Sequence, residues 1–242
     1  MVKITSVWEV KEHARSFLEF ERSAVPGAEL QLAIIGTIAR HWCDNPLRIL
    51  DLGCGDGILG RFLLNRFPGA SGVFLDFSDT MLEAARESLS DNPKSTVIKA
   101  DFASPKWLDT IAVHQPFEIV VSGFAIHHQP DERKKELYSE IYNLLSLGGI
   151  FLNLEHVESL TPEVEKLFEE FYIDNLYNYH VKSDPGTTRE AVAEGYGNRP
   201  DKKEDKLASA DTQCRWLREI GFSDVDCFFK VFEIALFGGR RK

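Results

Sequence analysis

Cysteine is scarce in this 242-residue chain: Cys43, Cys54, Cys214 and Cys227 stand far apart, with no CxxC pair and no Cys/His spacing of a zinc module. That argues against a disulfide framework and a sequence-local metal module, and predicts reduced thiols in a cytoplasmic protein. Basic residues are outnumbered, with 28 Lys and Arg against 38 Asp and Glu and a net charge of −10. Such a balance opposes the broad grip on phosphates that nucleic-acid binding needs. Charges interrupt every apolar run before the roughly 18 positions of a membrane span accumulate. The start, Met1 to Glu9, lacks the apolar core of a signal peptide. No internal repeat or low-complexity tract is present. The expected partner is a small molecule, with no nucleic acid and no membrane. What the chain does have is 43% hydrophobic and 27% charged residues, enough for a real core under a soluble surface.

The apolar residues come in alternating periods. Residues 9–21 set Val10, Ala14, Phe17, Leu18 and Phe20 among charges, the pattern of an amphipathic helix, and Pro26-Gly27 breaks it. A second helix is predicted over 28–43. Leu47 to Leu52 reads as a strand that runs straight into Gly53-Cys54-Gly55-Asp56-Gly57. Helices over 57–67, 78–89, 104–113 and 131–146 then alternate with strands over 72–76, 95–99, 117–122 and 150–154, with Ser78 as an N-cap and Gly148-Gly149 closing the helix before the last strand. Parallel neighbours need crossover connections, so this alternation predicts a doubly wound parallel sheet covered on both faces. After Thr161-Pro162 come an aromatic helix over 162–180 and a polar stretch, 183–206, with too few apolar residues to hold itself down. A helix over 209–220 ending at Gly221 precedes two β-rich runs, 225–230 and 231–237, that fit an antiparallel hairpin.

Three glycines on alternate positions between a strand and a helix let the backbone turn sharply and let a ligand lie against bare main chain. The helix that follows offers free amide donors. A strand before and a helix after is the context a nucleotide site requires. An acid about 20 positions past such a loop is where a ribose is held in folds of this kind. Asp76 lies 19 positions beyond Gly57. A carboxylate there accepts from both ribose hydroxyls and repels a 2′-phosphate, which points to an unphosphorylated adenosine moiety.

Ile49-Leu50-Asp51-Leu52-Gly53-Cys54-Gly55-Asp56-Gly57 resembles the first motif of class I S-adenosylmethionine-dependent methyltransferases: an acid, here Asp51, one residue, then GxGxG. Nucleotide dehydrogenases favour GxGxxG instead. Asp76 stands at the family's ribose-binding acid, Lys99-Ala100-Asp101-Phe102 resembles its third motif, and Val120 through His128 resembles the motif after the fourth strand. The resemblance covers roughly 46–156 and 209–239. It implies a Rossmann-like sheet of seven strands, mostly parallel with a C-terminal antiparallel hairpin, and S-adenosyl-L-methionine as cofactor. By the same resemblance Gly53, Gly55 and Gly57 contact the methionine portion, Phe77 and Met81 pack on adenine, Asp101 meets the adenine amino group beside Phe102, and Gly123 lies near the sulfonium. Arg22 is the candidate partner of the methionine carboxylate.

The implied activity is direct in-line methyl transfer to a small-molecule acceptor. No Asn/Asp-Pro-Pro-aromatic tetrad of the amino-methylating nucleic-acid enzymes follows the fourth strand. For nitrogen or oxygen acceptors a base is needed, and His127 and His128 are the catalytic candidates, because that loop faces the cleft and histidine titrates near neutrality. Glu155 and His156 form a second candidate pair, and no metal is expected. Phe168, Phe171, Tyr172, Tyr177 and Tyr179 read as core, or as a wall for a cation. Two alternatives remain open. One is an enzyme making or using a modified S-adenosylmethionine, as carboxy-S-adenosylmethionine synthases do, which share the Val25-Pro26-Gly27 approach. The other is a cofactor-binding domain without turnover. One domain is expected, with 1–45 as a helical cap, 46–156 as the cofactor core, 157–208 as a lid and 209–242 as the closing helix and hairpin.

Overall fold

The computed structural model describes residues 6–11, 14 and 25–242. Most of the helix expected over 9–21, and Arg22, lie outside the described residues. Seven strands form one sheet: β1 (Arg48–Leu52), β2 (Ser71–Asp76), β3 (Ser95–Lys99), β4 (Phe117–Gly123), β5 (Leu145–His156), β6 (Ser223–Val231) and β7 (Ile234–Arg240). Eight described α-helices accompany it: α1 (Ala28–Trp42), α2 (Ile58–Arg66), α3 (Asp79–Ser88), α4 (Trp107–Ile111), α5 (Asp131–Leu144), α6 (Pro162–Ser183), α7 (Arg189–Gly197) and α8 (Ala210–Ile220). The strand order is β3-β2-β1-β4-β5-β7-β6. β1 to β5 pair in parallel, and β7 runs antiparallel to both β5 and β6.

The central strands are apolar on both faces because both faces are covered. On one side Ile35 of α1, Leu63 of α2 and Leu82 of α3 pack with Ile49, Phe74 and Ile119. On the other Trp107 of α4, Tyr138 of α5 and Leu217 of α8 pack with Leu50, Val120 and Phe151. The chain leaves β1 towards β2 and later returns to lay β4 on the other side of β1, so the loops after β1 and β4 diverge. A crevice opens there, at the carboxyl ends of the strands.

Local chemistry fixes the element ends. The Ser78 hydroxyl accepts the Met81 N–H at 3.5 Å and caps α3 as the sequence predicts, and Gly221, at φ +117°, ends α8 in the left-handed region that glycine favours. Two elements differ from expectation. α5 stops at Leu144 and β5 starts at Leu145, which pairs with Phe117 across a register shift. Burial of Leu145 pulls it into the sheet, and Gly148-Gly149 bends the strand instead of closing a helix.

The polar stretch after 183 is also structured: Thr188 caps α7, and a 3₁₀ turn follows at Pro200–Lys203. Polar contacts replace the missing apolar ones. The Arg199 guanidinium lies 4.3 Å from the Tyr196 ring centroid, Tyr196 packs against Tyr172 at 5.2 Å, and Lys202 pairs with Glu169 at 2.7 Å. Among the described residues no helix is long and apolar enough to cross a membrane.

Candidate active site

A cavity of about 820 Å³ occupies the crevice, within the size range of small-molecule sites. Its floor is the glycine loop. Gly53 adopts φ +67°, and a Cβ there would lie 2.4 Å from the Ala125 Cβ, so only hydrogen fits where the loops after β1 and β4 pass. Gly57, at φ +83°, is the N-cap of α2 and sits just behind the cavity wall rather than on it. Asp51, Gly53, Gly55 and Gly123 all line the cavity. The buried Asp51 accepts the Gly60 N–H at 2.8 Å, which fixes the start of α2 against β1.

Asp76 ends β2 with its carboxylate against the loop. One oxygen accepts the Gly55 N–H at 3.0 Å and the other the Ser78 N–H at 2.9 Å. Burial pushes its pKa up to about 6 in spite of these main-chain donors. Phe77, Met81, Asp101 and Phe102 complete this end of the cavity, with Met81 and Phe102 buried and Asp101 exposed. The Asp101 carboxylate accepts the Ala103 N–H at 2.8 Å, which holds it at the turn after β3.

At the other end the chain leaves β4 through Phe124, whose φ of +51° is unusual for a residue with a side chain. That bend delivers the 3₁₀ turn Ile126–His128. The two histidines part: His128 borders the large cavity, whereas His127 faces an adjoining cavity of about 80 Å³ shared with His156, Phe168, Tyr172, Tyr196 and Asp205. His127 Nδ1 lies 2.5 Å from the fully buried Glu155 carboxylate, so the two sequence-derived candidate pairs are one network. Burial opposes a charge on His127, but Glu155 and Asp205 outweigh it and push its pKa up to about 9. Burial and the neighbouring His127 ring, 3.9 Å away between centroids, drive the His128 pKa down to about 2. His128 Nε2 accepts the Trp8 indole N–H at 3.1 Å. His156 Nε2 bonds to Glu233 at 2.8 Å.

Several lining residues carried no signal in the sequence. Trp8 lies on the wall of both cavities, and Lys203, Glu204 and Lys206 reach the large one from the far end of the 157–208 segment. That end is pinned to the histidine turn: the Lys206 N–H donates to the His127 carbonyl at 2.9 Å and the Lys206 ammonium to the His128 carbonyl at 2.9 Å. Asp205 is brought within 3.4 Å of His127 Nε2 and 3.5 Å of His128 Nδ1. It comes from more than 70 positions along the chain, too far for any spacing rule to find it. Of the expected aromatic set, Phe168 and Tyr172 line the smaller cavity, while Phe171 packs on Phe232 and Tyr179 on His180.

Known proteins resemble this chain in sequence and in fold. Residues 49–149 match the family model described as a methyltransferase domain. The chain is 29% identical over 109 residues to malonyl-[acyl-carrier protein] O-methyltransferase 1 of Ilyobacter polytropus, an alignment covering 45% of this chain and 38% of that one. It is 24% identical over 225 residues to carboxy-S-adenosyl-L-methionine synthase of Shewanella halifaxensis, covering 90% of this chain and 86% of that one. Among solved structures, an O-methyltransferase family protein from Burkholderia thailandensis shares the fold, with a TM-score of 0.63 at 14% identity over 89% of this chain and 56% of that one.

Proposed function

We propose that the chain, whose residues 49–149 match a methyltransferase-domain family, is a class I S-adenosylmethionine-dependent methyltransferase that transfers the methyl group of S-adenosylmethionine to a small molecule held beside His128. The observation that carries this is the cavity that joins Asp76 at one end to His128 at the other over bare glycine backbone. Two features fit the cofactor. Each Asp76 oxygen accepts one main-chain bond and keeps a lone pair for a ribose hydroxyl. Gly53, Gly55 and Gly123 put bare main chain on the cavity surface.

When bound, S-adenosylmethionine supplies a methyl carbon made electrophilic by its sulfonium. The chain's part is to bind, orient and exclude water. Gly53, Gly55 and Gly123 give main-chain contact, Asp76 and Asp101 hold the nucleoside, and Phe77, Met81 and Phe102 wall it. His128 is the neutral ring on the cavity surface, placed to orient the acceptor. His127 behind it is a positioning residue, fixed by Glu155. Its positive charge opposes a second proton on His128, which favours acceptors that arrive ionised. Trp8 and Lys203 of the 3₁₀ turn form part of the wall at the acceptor end.

A second reading, production or use of a carboxylated S-adenosylmethionine, is favoured by the alignment to a carboxy-S-adenosyl-L-methionine synthase over 90% of this chain. One experiment separates the two. The purified protein is incubated with S-adenosylmethionine and a panel of carboxylate, phenol and amine acceptors, and separately with S-adenosylmethionine and carboxylic acids that can lose CO2 as carboxyl donors, and the nucleosides are read by mass spectrometry. S-adenosylhomocysteine formed with a methylated acceptor supports transfer. A nucleoside heavier than S-adenosylmethionine by one carboxylate supports the second reading. Neither product, with S-adenosylhomocysteine still bound, leaves only a binding domain.

A further inference from the structure

We propose that His127, His128 and Asp205 form a binding site for one divalent transition-metal ion in the wall between the two cavities. One ligand atom from each of the three residues lies within 4.8 Å of the other two. Asp205 Oδ1 is 3.4 Å from His127 Nε2 and 3.5 Å from His128 Nδ1. These separations are long for hydrogen bonds. They match the edge of a tetrahedron, roughly 3.3 Å, that metal–ligand bonds of about 2.0–2.1 Å generate.

Two of the three donor atoms are also unspent. Asp205 Oδ1 and His128 Nδ1 are buried without a hydrogen-bond partner, on side chains that are 8% and 14% exposed. Asp205 is steadied through its other oxygen, which lies 3.4 Å from the Arg199 guanidinium and 3.7 Å from His156 Nδ1, leaving Oδ1 facing the two rings. His127 bonds through Nδ1 to a buried carboxylate, Glu155, the contact that orients imidazole ligands once an incoming metal displaces the proton from Nε2. Glu155 and Glu233, both buried nearby, add the negative charge that a dication requires.

Two imidazoles and one carboxylate suit zinc or iron(II), and three protein ligands leave a position open. Since His128 is on the large cavity and His127 and Asp205 on the small one, the open position serves an oxygen of the acceptor, such as a carboxylate or an ionised hydroxyl. That last step rests on the proposed transfer; metal binding does not. No metal is expected from the sequence alone because the third ligand is remote in the chain.

Occupancy has a built-in reporter. With a metal on Nδ1, the His128 ring carries its proton on Nε2, which in this structure accepts the Trp8 indole N–H. The indole must therefore release that bond. The test strips the full-length protein with a chelator, dialyses it, and titrates it with zinc and with cobalt(II), reading metal content, the cobalt visible spectrum and tryptophan emission. Expected are about one equivalent of metal, a four- or five-coordinate cobalt spectrum, and an emission change that Trp8→Phe removes. Asp205→Ala abolishes uptake and Glu155→Gln weakens it about tenfold or more. S-adenosylhomocysteine affinity stays within a factor of about three in Asp205→Ala, which shows that the variant is folded. The proposal fails if the wild-type protein takes up no stoichiometric metal, or if a folded Asp205→Ala protein takes it up as well. Because neither acceptor nor turnover is involved, a failure of the methyltransferase reading shows separately, as loss of S-adenosylhomocysteine binding or of product.

Discussion

The Asp76 carboxylate accepts the Gly55 main-chain N–H at 3.0 Å, joining the end of β2 to the middle of the glycine loop. One side chain thus shapes the loop and keeps a lone pair on each oxygen for a ribose. Asp76→Ala removes two charge-assisted bonds to the nucleoside, each worth about 1.5–3 kcal/mol. The expected result is a dissociation constant for S-adenosylhomocysteine at least tenfold higher by calorimetry, with the fold retained by circular dichroism. An unchanged constant would place the adenosine elsewhere.

The same residue predicts a pH dependence. Its pKa is raised from 3.8 to about 6 by burial, so the folded apo protein holds a proton there that the unfolded chain has lost. Stability from this group is therefore full below pH 4, falls as pH rises towards 6, and stays reduced above. Ligand affinity runs the other way, since only the ionised carboxylate accepts from both hydroxyls. Calorimetric affinity for S-adenosylhomocysteine should weaken about tenfold from pH 7 to pH 5, and Asp76→Ala should flatten that profile.

Gly53→Ala places a methyl group 2.4 Å from the Ala125 Cβ at a φ of +67°. That contact cannot be relieved by a rotamer change, because both Cβ atoms are fixed by backbone. A loss of about 2–3 kcal/mol in stability follows from overpacking and left-handed strain together. Chemical denaturation should show it, and affinity for S-adenosylhomocysteine should fall with it. Gly69→Ala, where a Cβ meets nothing within 4 Å, is the control expected to change neither.

Glu155 is fully buried and its carboxylate serves three donors: His127 Nδ1 at 2.5 Å, the His156 N–H at 3.1 Å and Asn153 Nδ2 at 3.3 Å. Glu155→Ala leaves these polar groups without their acceptor in the core, a change that costs about 3–5 kcal/mol. Glu155→Gln keeps the shape and removes the charge. Under the proposed function it should lower kcat by more than it raises the KM for S-adenosylmethionine, because the network reaches His128 and not Asp76. An equal effect on both would make Glu155 purely structural.

The parallel core was legible because its periods are strong. Apolar runs such as Ile119-Val120-Val121 have room only in a sheet covered on both sides, and the three glycines between β1 and α2 mark the loop directly. Ser78 as a cap follows from its place ahead of Met81. The start of β5 was not legible, since Leu145 fits the helical period of α5 and the strand period of β5 equally; its partner Phe117 decides. α7 was hidden for a different reason: Arg199 and Lys202 hold that region down through cation–π and ionic contacts, which hydropathy does not count. Asp205 was invisible because it reaches the histidines only through the return of the 157–208 segment.

That return sets the terms of the last prediction, which concerns 157–208 as a lid over the acceptor end. The segment leaves the sheet at the carboxyl end of β5, and its 3₁₀ turn comes back to the cavity, where Lys203 and Glu204 form part of the wall. Its two parts are held very differently. From Glu204 onward it is tied down: the Val7 N–H donates to Glu204 at 2.8 Å, the Lys206 N–H to the His127 carbonyl at 2.9 Å, and the Glu158 N–H to the Ala208 carbonyl at 3.3 Å. α7 has no buried residue and rests on α6 through Tyr196 and Arg189, the latter pairing with an exposed Asp174 at 2.6 Å. Exposed pairs of that kind contribute about 1 kcal/mol or less, and lids are drawn from such low-stability segments. Hydrogen exchange should therefore find 189–197 exchanging fast and 205–208 slow in the protein alone. Saturating S-adenosylhomocysteine should then slow 199–204, as the wall of the cavity orders. Slowing confined to 53–57, with 189–204 unchanged, would make the segment a surface insertion and leave the acceptor pocket to Trp8, Phe124 and His128.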